Sequence, residues 1–100
     1  MAKVGVIFAQ GFEEVEGLTP VDVLRRAKME CDMIGLKDQT VTGSHAIPVL
    51  MDKVFDGSLS DYDMIVLPGG LPGAHHLRDH EGLIAALQKE ATAGKYIAAI

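Results

Sequence analysis

Short apolar runs alternate with longer amphipathic stretches along this chain. The apolar runs lie at residues 3–9, 31–36, 64–67 and 95–100, and they contain many of the β-branched residues that favour strands. The stretches after the first and third runs carry apolar residues at helical spacing. Strands that alternate with helices in this way predict a parallel sheet with helices on both faces, so we expect a doubly wound α/β fold.

The first amphipathic stretch combines a helical pattern with a proline. The apolar residues that recur every three positions are Val15, Leu18, Val21 and Leu24. This spacing predicts one buried helical face. Pro20 has no N–H to donate, so the helix is either kinked or split there. We favour a short turn followed by a helix with Thr19 as N-cap and Pro20 in its first position.

A second helix and a hairpin are predicted further along the chain. Asp79 can cap the helix and Gly94 can end it. Its apolar stripe consists of Leu83, Ile84, Leu87 and Ala91. Residues 39–52 hold β-branched residues interrupted by Gly43 and Pro48, which is typical of a small hairpin at a sheet edge.

Composition limits the classes of function. A chain of 100 residues without a linker predicts one domain. The net charge of -5 gives no attraction to phosphate backbones or anionic lipids, so we expect neither nucleic acid nor membrane partners. No export signal is visible, and the single cysteine, Cys31, cannot form an internal disulfide. These features favour a cytoplasmic location.

Candidate chemistry lies in the turns that follow the strands, where ligands of open α/β sheets bind. In "LPGG", Gly69 and Gly70 could bring a backbone N–H close to a ligand oxygen, although such a sequence is also an ordinary way to leave a strand. The spacing fits neither GxGxxG nor a P-loop, so we expect no nucleotide cofactor.

Three acids open the first amphipathic stretch. Glu13, Glu14 and Glu16 stand where the helix dipole favours carboxylates, which predicts solvated acids. One of them could instead enter the cleft and exchange a proton with a nucleophile. Spacing alone does not choose between them.

Histidine and cysteine give weaker signals. His76 and His80 are four residues apart, but no third ligand has a recognisable spacing, so we expect no metal. Cys31 lies inside an apolar strand and is interpreted as a small core residue.

Three segments together resemble the ThiJ/PfpI family, in particular its branch of Parkinson disease protein 7 and bacterial deglycases. They are "VGVIFAQGFEEVEGLTPVDVLRRA", "DYDMIVLPGGLPGAHHL" and "GKYIAAI". The resemblance implies a flavodoxin-like α/β fold, usually dimeric, of which residues 1–100 form the N-terminal portion. It also implies a nucleophilic cysteine directly after Ile100.

The resemblance assigns roles to individual residues. The acid that shares a proton with the cysteine sulfur falls on Glu16, and the oxyanion N–H falls on Gly70, beside Gly69. His45 stands about where the eukaryotic branch has an arginine near the cleft, and Arg26 matches a second arginine of the family. We therefore expect these two side chains to contact substrate.

The function implied is that of a cysteine-dependent deglycase or glyoxalase, which acts on methylglyoxal or its adducts without a cofactor. The alternatives are a redox-sensing stress protein with holdase activity that uses the same cysteine, a protease of the family, and a small flavodoxin-like binding module without chemistry. The expected partners are a small aldehyde and a second copy of the chain.

Overall fold

The computed structural model describes residues 2–100, and it places helices after the first and the third apolar run, as predicted. The strands are β1 (Lys3–Phe8), β2 (Glu30–Gly35), β3 (Thr40–Thr42), β4 (Pro48–Leu50), β5 (Lys53–Val54), β6 (Met64–Leu67) and β7 (Tyr96–Ala99). The helices are α1 (Glu14–Arg26), α2 (Gly73–Asp79) and α3 (Glu81–Thr92).

Five strands form one parallel sheet in the order β5-β2-β1-β6-β7. Val6 of β1 pairs with Met33 on one side and Val66 on the other, so β1 lies at the centre. Strands β3 and β4 form a separate antiparallel hairpin, which confirms the prediction for residues 39–52. Strand β5 was not predicted, because its two residues are too few to show a pattern.

Helices cover both faces of the sheet, and each face has its own apolar core. On the face of α2 and α3, the buried side chains include Ile7, Ile34, Ile65, Leu77, Leu83 and Leu87. On the face of α1 and the hairpin, they include Val4, Val6, Phe8, Phe12, Val21, Cys31 and Val41. The predicted doubly wound architecture is therefore confirmed, and Cys31 is a core residue as expected.

Helix α1 differs from its prediction in two ways. It begins at Glu14 with Glu13 as N-cap and runs through Pro20 without a break, so the predicted split with Thr19 as N-cap was wrong. The three-residue spacing is also misleading, because each step turns about 60° away from the last on an α-helix. As a result Val15 is 68% exposed, and Gly17 and Val21 occupy the buried face.

The second predicted helix is preceded by a short one, α2, that the sequence did not reveal. Asp79 is the last residue of α2, so its predicted role as cap was wrong. The N-cap of α3 is His80, whose Nδ1 accepts the N–H of Leu83 at 2.9 Å. Gly94 ends α3 as predicted, with φ +83° and an N–H that donates to the carbonyl of Ala91.

No helix in residues 2–100 is long and apolar enough to cross a membrane.

Candidate functional site

The turn after β1 is held between two other loops. On one side, the N–H of Glu13 donates to the carbonyl of Gly69 at 2.9 Å. On the other, the carbonyl of Phe12 accepts the N–H of Ser44 at 2.8 Å, and the N–H of Gly11 donates to the carbonyl of Thr42. The first turn of α1 therefore meets the β3–β4 hairpin on one side and the Gly69–Gly70 turn on the other.

The three acids at this point have three different environments. Glu13 is the N-cap of α1, and its carboxylate oxygens accept the N–H groups of Val15 and Glu16 at 3.2 and 3.3 Å. These bonds satisfy donors that the start of a helix leaves free. The role of Glu13 is therefore structural.

Glu14 turns towards the hairpin and is buried, with 6% of its surface exposed. Its Oε1 lies 2.8 Å from Nδ1 of His45, and its Oε2 accepts the backbone N–H of His45 at 2.8 Å. Burial by itself would raise the pKa of Glu14, but these hydrogen bonds outweigh it and lower the pKa to about 2. The hydrogen bond with Glu14 and its negative charge raise the pKa of His45.

The pairing of Glu14 with His45 joins residues 31 positions apart, and no motif in the sequence signals it. This pairing also fixes the backbone of His45 against α1, because the His45 N–H donates to Oε2 of Glu14. Imidazole and carboxylate atoms of Glu13, Glu14 and His45 lie within 4.8 Å of one another. Because these atoms already form the hydrogen bonds described above, we assign no metal to them.

Glu16 turns the other way, towards the loop after β6. Its Oε1 accepts the N–H of Gly69 at 3.0 Å, and its side chain is half-buried. Within residues 2–100, its second carboxylate oxygen accepts no hydrogen bond. Glu16 therefore has a fixed position and a free acceptor, which a proton-transfer group requires.

The end of β7 reaches the same place. The N–H of Ile100 donates to the carbonyl of Leu67 at 3.0 Å, which continues the parallel pairing of β6 and β7. A Cβ atom placed on Gly69 would lie 2.5 Å from Oε1 of Glu16 and 2.9 Å from the carbonyl oxygen of Ile100. Glu16 and the carboxyl end of β7 thus converge on one side of Gly69.

Gly70 supplies a backbone N–H at this position. Its φ of +98° is in the left-handed region, and a Cβ atom there would overlap the backbone nitrogen of Glu13, so only glycine fits. Its carbonyl accepts the N–H of Ala74, whereas its own N–H has no acceptor within residues 2–100. A free N–H beside a fixed carboxylate can receive charge on a ligand oxygen.

Two of the predicted substrate contacts, Arg26 and His45, lie outside this convergence. Arg26 is the last residue of α1, about 15 Å along the helix axis from Glu16, and its guanidinium pairs with Asp22 at 2.9 Å. His45 lies on the hairpin side of α1 with its side chain 69% exposed. Gly69 uses its N–H to hold Glu16. Substrate contact by these residues stays a prediction.

Comparison with known proteins shows the relatives of this chain. Residues 2–100 match the DJ-1/PfpI family. "Protein DJ-1 homolog B" of Arabidopsis thaliana is 37% identical over 97 residues, which are 95% of this chain and 22% of that protein. "Protein DJ-1alpha" of Drosophila melanogaster is 36% identical over 95% of this chain and 45% of that protein.

Solved structures agree with the fold. Oxidized Toxoplasma gondii DJ-1 superposes with a TM-score of 0.92 at 38% identity, over 99% of this chain and 55% of that one. Drosophila melanogaster DJ-1beta gives a TM-score of 0.91 at 35% identity, again over 99% and 55%. The chain therefore spans about half the length of these solved relatives, and less of the curated ones named above. The match confirms the resemblance found in the sequence: this chain belongs to the DJ-1/PfpI family.

Proposed function

We propose that the complete protein is a cysteine-dependent deglycase or glyoxalase acting on methylglyoxal or its adducts. The observation that carries the proposal is the convergence of the Glu16 carboxylate and the carboxyl end of β7 on Gly69, which is followed by the free N–H of Gly70. Family membership adds the expectation of a cysteine directly after Ile100. A residue in that position would follow the carbonyl that lies against Gly69 and Glu16.

These groups suit addition of a thiol to an aldehyde. The thiolate sulfur forms a bond to the carbonyl carbon, and the electron pair of the C=O bond moves to oxygen. The N–H of Gly70 donates to this developing oxyanion, and Glu16 takes the proton that the thiol loses and passes it to the oxyanion, which gives a hemithioacetal.

The proposal is tested by assaying the complete protein with methylglyoxal. We expect Glu16→Gln to lower kcat by at least about 100-fold, which is the usual contribution of a proton-transfer group. Replacement of the cysteine after Ile100 should abolish turnover. Glu30→Gln is the matched control, because Glu30 is exposed at the opposite, amino-terminal edge of the sheet. Normal turnover by both the Glu16 and the cysteine variants would overturn the proposal.

A second candidate function is redox sensing by the same cysteine. It is favoured by one comparison, since the Toxoplasma gondii relative at 38% identity was solved in an oxidized form. A thiolate with a neighbouring carboxylic acid can be oxidised to the sulfinate, which adds two oxygen atoms. Mass spectrometry after mild peroxide should show this addition on one peptide, and its absence at sub-millimolar peroxide would reject this function.

We also propose that the protein forms a homodimer. Exposed apolar side chains on α1 and on the hairpin support this, and they are Val15, Val23, Ile47 and Leu50. Light scattering coupled to size exclusion should give twice the chain mass. A Val15→Glu, Val23→Glu double variant that leaves this mass unchanged would exclude α1 from the interface.

A further inference from the structure

The loop between β3 and β4 holds the imidazole of His45 in one position. The carboxylate of Glu14 binds this residue twice, through the ring Nδ1 and through the backbone N–H, each at 2.8 Å. The N–H of Ser44 donates to the carbonyl of Phe12 at 2.8 Å, and Ala46 adopts a φ of +64°. A residue other than glycine keeps such a φ only where the surrounding contacts impose it. The ring is therefore presented on a rigid support.

The contact with Glu14 decides which nitrogen of the ring is free. Because the pKa of Glu14 is about 2, its carboxylate is ionised at neutral pH and can only accept a hydrogen bond. The neutral imidazole of His45 therefore carries its proton on Nδ1, and Nε2 keeps its lone pair. The side chain of His45 is 69% exposed, and within residues 2–100 its Nε2 makes no hydrogen bond. Nε2 is thus a fixed and accessible nucleophile.

The acids beside His45 strengthen this nucleophile and limit what it can attack. A carboxylate at Nδ1 stabilises the positive charge that develops on the ring when Nε2 forms a bond. The carboxylates of Glu13 and Glu14 both lie within 4.8 Å of a ring nitrogen of His45. Two negative charges at this distance repel a phosphate dianion but not an uncharged acyl group. The position therefore favours acyl transfer over phosphoryl transfer.

We propose that His45 is a second catalytic residue, which hydrolyses small, uncharged, activated acyl compounds without the cysteine. Nε2 forms a bond to the acyl carbon, and the leaving group departs with the electron pair of the bond that breaks. The positive charge of the acylated ring is stabilised by Glu14. Water then adds to the acyl carbon, and the C–N bond breaks with its electron pair returning to Nε2. The carboxylic acid is released, and the leaving group takes up the remaining proton.

The first test compares histidines within one molecule. His75 and His76 are exposed, and their rings form no hydrogen bond within residues 2–100, so they are internal controls for His45. Diethyl pyrocarbonate transfers an ethoxycarbonyl group to imidazole, and mass spectrometry assigns the modified residue. Rates are compared on the alkaline plateau of the pH profile, where every imidazole is neutral. His45 should react about threefold faster or more, since nucleophilicity rises with basicity. Equal or slower labelling of His45 would overturn the proposal.

The second test removes the charge that supports the ring. Glu14→Gln should lower the labelling rate of His45 towards that of His75 and His76, and it should leave their rates unchanged. His80 reports whether the variant is folded, because its ring is half-buried and its Nδ1 is engaged by the N–H of Leu83. Slow labelling of His80 together with an unchanged rate at His45 would overturn the role of Glu14.

The third test measures turnover as release of p-nitrophenol from p-nitrophenyl acetate. It uses the complete protein with the cysteine expected after Ile100 replaced, so the result is independent of the proposed deglycase or glyoxalase function. His45→Gln should lose most of the remaining protein-dependent rate, whereas His76→Gln, the matched control, should keep it. An unchanged rate in His45→Gln would overturn the proposal. Preferential labelling of His45 by phosphoramidate would overturn the choice of acyl over phosphoryl transfer.

Discussion

Glu14 and Glu16 are two residues apart on α1, yet the regions they contact differ in kind. Glu14 meets the hairpin, is buried, and uses both carboxylate oxygens in hydrogen bonds with His45. Glu16 meets the Gly69–Gly70 turn, is half-buried, and uses one oxygen only. Two positions along a helix turn a side chain by about 200°, so the two acids necessarily face different partners.

The two environments distinguish a glutamate that stabilises the fold from a glutamate that can take part in a reaction. A buried carboxylate with all its oxygens engaged stabilises the contact that engages it, and it has nothing left to offer a ligand. A carboxylate with a free oxygen beside a free N–H can take part in a reaction. We therefore expect changes on the hairpin side to alter stability, and changes on the Gly69–Gly70 side to alter activity unless they also break the turn.

The largest effect on stability should come from Gly70→Ala, which breaks the turn itself. The added Cβ overlaps the backbone of Glu13 and strains a φ of +98°, so we expect a loss of about 3 kcal/mol in the free energy of unfolding. Gly57→Ala is the matched control, because Gly57 has φ +100° but nothing within 4 Å of its Cβ position. It should cost only about 1 kcal/mol. Urea denaturation measures both values, and equal losses would show that crowding by Glu13 is unimportant.

Alanine variants of Gly43 and Gly69 should distinguish the hairpin side of α1 from the Gly69–Gly70 side. In Gly43→Ala the added Cβ overlaps the pinned carboxyl group of Glu14, and we expect a loss of about 1–3 kcal/mol. In Gly69→Ala it meets the carboxylate end of Glu16, which is half-exposed and can turn away, and the carbonyl oxygen of Ile100 at 2.9 Å, which must shift slightly. We expect this variant to lose about 1 kcal/mol of stability and most of the methylglyoxal turnover proposed above. The reverse assignment of losses would refute the division.

Much of the fold follows from the sequence, because runs such as Met64–Leu67 and the glycine at position 94 carry their own structural preferences. The predicted start of the helix at Pro20 was wrong. Helix α1 begins earlier, where the side chain of Glu13 caps it, and it continues through Pro20. The pairing of Glu14 with His45 depends on how the hairpin packs against α1, which no local pattern encodes. Only the family resemblance pointed to Glu16 as the proton-transfer acid. The environments of Glu14 and Glu16 differ because of tertiary contacts, which the local sequence does not encode.

The pH dependence of stability should identify Glu14 as the structural acid. Its pKa in the folded protein, about 2, is below the ordinary value of 4.5, so its contribution is present above about pH 4.5 and is lost as pH falls towards 2. We expect Glu14→Gln to be less stable than the parent at neutral pH, with a difference that shrinks over this range. Denaturation curves measured at several pH values test this, and a constant difference would contradict it.

The smallest effect should come from His45, whose side chain is mostly exposed. Its pKa is raised by the hydrogen bond with Glu14 and by the charges of Glu14 and Glu13. The extra stability from the charged imidazole is therefore complete below pH 6.5 and is lost as pH rises through the higher pKa of the folded state. The neutral ring can still donate its Nδ1–H to Glu14, and the backbone N–H of His45 remains bonded, so only part of the contact disappears. In His45→Gln we expect a small loss of stability at pH 6 that decreases by pH 9. A loss that instead grew with pH would mean that Glu14 is not what holds the imidazole in its charged form.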